Sequence, residues 1–208
     1  LQPESWRRTG DRRAELVSRL AVRIPDVAKI SDADELRALA DDILGVVGAI
    51  PGDQQWEPLV VLAEAAAGTS DSALMLRNMV LDYASNTHRE GTIGHDDYAH
   101  ILVAFACSVG PGELFDRRLL DGTEGTLVHS TGDAWIDEAR GRASSLAPGV
   151  KLELETVMRD MADVVPLLPD ERQRTWLTAL SQATFYLSYW ANDVRMDVLK
   201  RACAAWER

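Results

Sequence analysis

Between Leu36 and Val47 the apolar residues fall at Leu36, Leu39, Ala40, Ile43, Leu44 and Val47, the three-and-four spacing that lays one apolar stripe along an α-helix. β-branched residues rarely alternate with polar ones as a half-buried strand requires, and Thr126-Leu127-Val128-His129-Ser130 is the one β-like run. A single strand there has nothing to pair with, so the run reads as an ordered loop. The chain is therefore expected to be all-α, with helix over about two thirds of its residues where globular proteins average near one third.

The punctuation agrees with that period. Ser31-Asp32-Ala33-Asp34-Glu35 supplies an N-cap and first-turn carboxylates for the helix just described, and Gly48 and Pro51 end it. Before it, Arg13, Leu16, Val17, Leu20, Ala21 and Ile24 mark a helix closed by Pro25. After it, a helix from Trp56, a Gly68-Thr69-Ser70-Asp71 turn and a helix from Leu74 through Ala84 make a hairpin. Arg89 to Gly94 reads as a loop, and Tyr98, Ile101, Leu102, Phe105 and Ala106 as the next stripe, stopped by Gly110-Pro111-Gly112. Trp135, Ile136 and Ala139 begin a shorter helix, Leu154 to Val165 forms another, and Pro166 and Pro169 break it. Two closing helices carry Trp176, Leu177, Leu180 and Leu187, then Arg195, Val198, Leu199, Ala202, Cys203 and Trp206. Among all these, Leu39, Ile43, Leu62, Leu102, Phe105, Val157, Leu180, Leu187, Val198 and Leu199 are the expected core.

A shift of 118 positions lays Asp42–Ala84 over Asp160–Ala202 without a gap. Asp42, Val46, Val47, Pro51, Gln55, Leu59, Leu62, Ala65, Ser70, Ala73, Arg77, Val80, Leu81 and Ala84 each meet an identical residue. Both stretches read as helix end, proline turn, long helix, short turn, helix. Units of about forty residues built from helix pairs are what helical-repeat arrays use, although any two Leu- and Ala-rich amphipathic helices match at several positions. The fold class expected is a single all-helical domain over residues 1–208, either a helical bundle or a short irregular array of tetratricopeptide- or HEAT-like hairpins.

Three segments carry a family resemblance. Arg12-Arg13-Ala14-Glu15-Leu16-Val17-Ser18-Arg19-Leu20, then Asp96-Asp97-Tyr98-Ala99-His100-Ile101-Leu102-Val103-Ala104-Phe105, then Tyr186-Leu187-Ser188-Tyr189-Trp190-Ala191-Asn192-Asp193 with Lys200-Arg201-Ala202, resemble in that order the helical part of an actinobacterial domain of unknown function, number 4192. The resemblance covers about three quarters of the chain. It lacks the segment that opens those domains, and Asn192 stands where a glycine is usual. It implies a helical fold and no particular activity.

Composition narrows the function classes. The chain has 33 acidic against 22 basic residues and a formal charge of −11, which repels a phosphate backbone whose binding depends on Lys and Arg. No nucleic-acid partner is expected; the local basic run Trp6-Arg7-Arg8 with Arg12-Arg13 reads as a solvated segment. Cys107 and Cys203 lack CxxC neighbours and read as buried small hydrophobes of a reducing compartment. With no apolar run of about 18 residues and no signal-peptide pattern, no membrane partner is expected and the location expected is cytoplasmic.

Candidate chemistry gathers in two places. His88, His95 and His100 lie in one short stretch with Glu90, Asp96 and Asp97. Imidazole and carboxylate suit zinc, manganese or iron, and His95, Asp96 and His100 are the candidate metal ligands; the same residues also make an ordinary helix start, with Asp96 and Asp97 complementing the dipole. Phe185, Tyr186, Tyr189 and Trp190 with Trp176 form an aromatic cluster, and Trp176, Tyr186, Tyr189 and Trp190 are the candidate partner-binding residues, unless their helix is the domain's own core. No nucleophile elbow, P-loop or dinucleotide fingerprint occurs, so no catalytic residue and no cofactor is assigned. The reading is a module that binds or scaffolds another protein or self-associates, more non-enzyme than enzyme. The alternatives are a metal-dependent enzyme or metal-binding protein using the His88–His100 segment, and a regulator domain holding a small ligand between helices.

Overall fold

Local signals place the helix boundaries. The computed structural model describes residues 12–24, 32–67, 70–109, 148–170, 172–173, 176–177, 180 and 191–206. Of these residues 86% are helical, with no strand among them, which settles the all-α class. The helices are α1 (Arg12–Ala21), α2 (Ala33–Gly48), α3 (Trp56–Ala65), α4 (Asp71–Arg89), α5 (His95–Val109), α6 (Pro148–Val164) and α7 (Asn192–Trp206), with 3₁₀ turns at Gly52–Gln54 and Val165–Leu167. None of the described helices is long and apolar enough to cross a membrane.

The chain divides into two compact units, Leu1–Phe105 and Ala106–Arg208, with the boundary inside α5. In the first unit α2 begins where Asp32 accepts the Glu35 N–H at 2.8 Å, satisfying a donor that has no partner in the first helical turn. Its stripe is inward: Leu36, Ala40, Ile43, Leu44 and Val47 are buried. Each such Leu or Ile contributes roughly 1.5–3 kcal/mol relative to exposure. α1 packs on α2 and α3, and α4 packs on both α2 and α3. Ser70 caps α4 by accepting the Ala73 N–H at 3.2 Å, and the exposed Arg13 guanidinium of α1 donates to the Ala49 carbonyl just past α2. A cation there complements the negative end of the helix.

Two buried polar groups hold the unit's corners. Arg77 of α4 is 0% exposed and donates from Nη1 to the Ala66 carbonyl at the end of α3, 2.6 Å away. Gln55 donates from Nε2 to the Ile50 carbonyl at 2.8 Å, while the Tyr83 hydroxyl of α4 lies 3.4 Å from Gln55 Oε1. Each satisfies a carbonyl at or just past a helix end.

In the second unit α6 packs on α7. Its inward face is Val150, Leu154, Val157, Met158, Met161 and Ala162, with Val194 and Val198 facing inward from α7. At the surface Arg159 pairs with Asp193 at 2.6 Å, and Arg201 pairs with Asp163 at 2.6 Å and Asp197 at 2.9 Å. Gln173 is buried and donates from Nε2 to the Leu168 carbonyl at 2.7 Å and to Pro166 at 3.1 Å.

Of the expected core, Ile43, Leu62, Leu102, Phe105, Val157, Leu180 and Val198 are buried, Leu39 and Leu199 are half-buried, and Leu187 lies outside the described residues. One expectation is corrected. Cys203 is exposed, because on α7 Val194 and Val198 carry the buried stripe and Cys203 falls beside it. The runs Asp121–Gly132 and Trp135–Ala147 lie outside the described residues.

Candidate functional site

The corner between α4 and α5 collects the histidines. α4 ends at Arg89 in a tight reversal: the Gly91 N–H reaches the His88 carbonyl at 2.9 Å and the Thr92 N–H reaches the Thr87 carbonyl at 2.9 Å. Gly91 supplies the left-handed φ of +77° that this cap requires. Ile93, 2% exposed, anchors the loop inward. On its other side the loop touches the first 3₁₀ turn, where a Cβ on Gly52 would stand 2.8 Å from both the Cγ2 and the carbonyl oxygen of Thr92. The start of α3 is thereby held near the start of α5.

These constraints fix the side chains. His88 Nε2 lies 2.8 Å from His95 Nδ1, and the His88 ring stacks on Tyr98, with centroids 4.3 Å apart and planes within 13°. His100 stands beside Trp56 of α3, centroids 5.7 Å apart. His95 is exposed, His88, His100 and Trp56 are half-buried, and Tyr98 is buried. Burial lowers the His88 pKa from its ordinary value, and the nearby His95 and Arg89 add to the shift; at 2.8 Å one ring N–H bridges the two imidazoles. Burial and the Glu90 carboxylate raise the Tyr83 pKa.

The structure thus sets His95 against His88, and His100 against Trp56. Among the described residues no group of three or more His, Cys, Asp or Glu is placed to hold a metal ion, so His95, Asp96 and His100 do not form a three-ligand set. Sequence spacing grouped His95 with Asp96 and His100, whereas the structure sets His95 beside His88, because a seven-residue separation across a capped loop follows no helical period. Within the aromatic cluster, Trp176 is buried at 1% exposure and offers no surface to a partner. Tyr186, Tyr189 and Trp190 lie outside the described residues. Sequence reasoning also gave no role to Trp56, Arg77 or Gln55; for the last two the signal was their identity with Arg195 and Gln173 at the 118-residue shift.

No protein-family model matches the chain, and neither a curated protein nor a solved structure matches it.

Proposed function

We propose that this chain is a helical-repeat module that binds or scaffolds another protein, or a second copy of itself. The supporting observation is that one local construction occurs twice. Gln55 donates to Ile50 at 2.8 Å and Gln173 to Leu168 at 2.7 Å, at positions related by the 118-residue shift. The backbone around each repeats the match: Ile50 N–H to Val47 at 2.9 Å against Leu168 to Val165 at 3.1 Å, and Gln54 N–H to Pro51 at 2.9 Å against Arg172 to Pro169 at 2.8 Å. The helix pairing is also shared, since α2 packs on α4 as α6 packs on α7. Repeated helix pairs bury one face against a neighbour and leave extended surfaces for partners, which is how such arrays bind proteins.

The half-buried Trp56 beside His100 adds a contact surface of the chemistry that dominates interface energetics. The test is native purification from the source, with light scattering for mass and cross-linking to map contacts. Expected is a stoichiometric protein complex or a dimer, disrupted by Trp56→Ala without loss of helical content. A lone monomer carrying a tightly held small molecule would replace this reading with the ligand-binding regulator, and turnover of a substrate would replace it with an enzyme.

A further inference from the structure

We infer that His88 and His95 form a two-imidazole site for a tetragonal divalent cation of the copper(II) or nickel(II) class, clamped across the corner between α4 and α5. Imidazole nitrogens suit copper(II) and nickel(II), and copper(II) heads the affinity order of the first-row divalent metals; two ring nitrogens that already meet need only a ring rotation to take cis positions on one such ion. His88 Nε2 and His95 Nδ1 are 2.8 Å apart.

The His88 ring and the two backbone positions are set before a cation arrives. His88 is held by its stack on Tyr98, and the distance between the two backbones is fixed by the glycine cap at Gly91. His88 lies in the last turn of α4, where the carbonyl end of the helix favours a cation. His95 opens α5, whose unfavourable positive end is offset by Asp96 and Asp97 in its first turn. Because His95 is exposed, water fills the remaining coordination positions. In the free protein one ring N–H occupies the line between the nitrogens. Binding requires that ring to carry its N–H on the other nitrogen instead, with His88 bearing its N–H at Nδ1 and His95 at Nε2, and His95 turns so that both lone pairs meet at the metal.

The experiment titrates the intact chain with copper(II) chloride and nickel(II) chloride by calorimetry, and records electron paramagnetic resonance of the copper form. One copper per chain with coupling to two nitrogens is expected, with nickel held at least as tightly as zinc. Copper at one hundred times its Kd should raise Tm by about 5–10 °C. His95→Asn, at an exposed position, and His88→Phe, which keeps a ring on Tyr98, should each weaken binding at least tenfold, while His100→Gln leaves it unchanged. Copper binding unaltered in His95→Asn, or lost in His100→Gln, would overturn the assignment.

Discussion

At the scale of single residues the polar groups inside the fold carry more information than the apolar ones. Arg77 is the clearest case: a guanidinium wholly out of solvent, donating to the last turn of the neighbouring helix at 2.6 Å. An arginine on an amphipathic helix ordinarily reads as part of the solvated face, which is why burial here escapes a periodicity argument. Arg77→Leu removes the donor and leaves the Ala66 carbonyl without it, and should lower stability by about 2–4 kcal/mol in urea unfolding; a cost under about 0.5 kcal/mol would mean that the carbonyl finds water. His88 gives a second residue-scale outcome. Its folded pKa lies below the ordinary value, so as pH falls through about 6.5 the unfolded chain takes up the proton first and native stability declines. The loss is complete only below the depressed folded pKa, and above about pH 7 stability is flat with respect to this group. Unfolding midpoints measured from pH 8 to pH 5 should show that decline in the natural chain and a smaller one in His88→Phe.

Among the elements, helix ends were the most legible features and cross-helix pairings the least. Asp32 and Ser70 cap α2 and α4 as their residue types and positions imply, since a short polar side chain before an apolar stripe has few other uses. Gly48 closes α2, while α4 runs past Ala84 to Arg89, the first residue of the stretch that by sequence reads as loop. The apolar stripe also misled at its margins: Leu39 and Leu199 are half-buried, and Cys203 is exposed, because a helix packed against one or two neighbours covers a narrower arc than its apolar residues occupy. What no periodicity supplies is the meeting of His88 with His95 and of Trp56 with His100, which depends on a loop geometry set by Gly91 and by the close approach of Gly52 to Thr92. The turn at Gly91 makes the element-scale prediction. An L side chain at its φ of +77° costs about 1–2 kcal/mol, so Gly91→Ala should destabilise by that amount and Gly91→Asn by less. The same substitution should loosen the His88–His95 pair, visible by NMR as convergence of the two imidazole shifts toward free-histidine values. Equal stability of Gly91→Ala and the natural chain would show that the cap relaxes without penalty.

For the whole molecule the proposal of a repeated unit makes a quantitative claim that neither unit makes alone. Gln55 and Gln173 share no hydrogen-bond partner, and each fills the same station after a proline turn. If the two stations are copies, equal chemistry removed from each should cost a similar amount. Replacing a buried amide with leucine of similar bulk leaves one carbonyl, Ile50 or Leu168, without its donor, at about 1–3 kcal/mol. Gln55→Leu and Gln173→Leu should therefore each shift the unfolding free energy within that range. The Gln173 variant should fall toward its upper end, because Gln173 also donates to Pro166 at 3.1 Å. The double variant should equal the sum of the two to within about 0.5 kcal/mol, as independent sites do. The geometric counterpart is that Asp42–Ala84 and Asp160–Ala202 overlay in a crystal structure with the same helix order and the same crossing hand. Opposite hands, or a Gln173→Leu variant as stable as the natural chain beside a strongly destabilised Gln55→Leu, would reduce the 118-residue match to the coincidence that any two Leu- and Ala-rich helices produce.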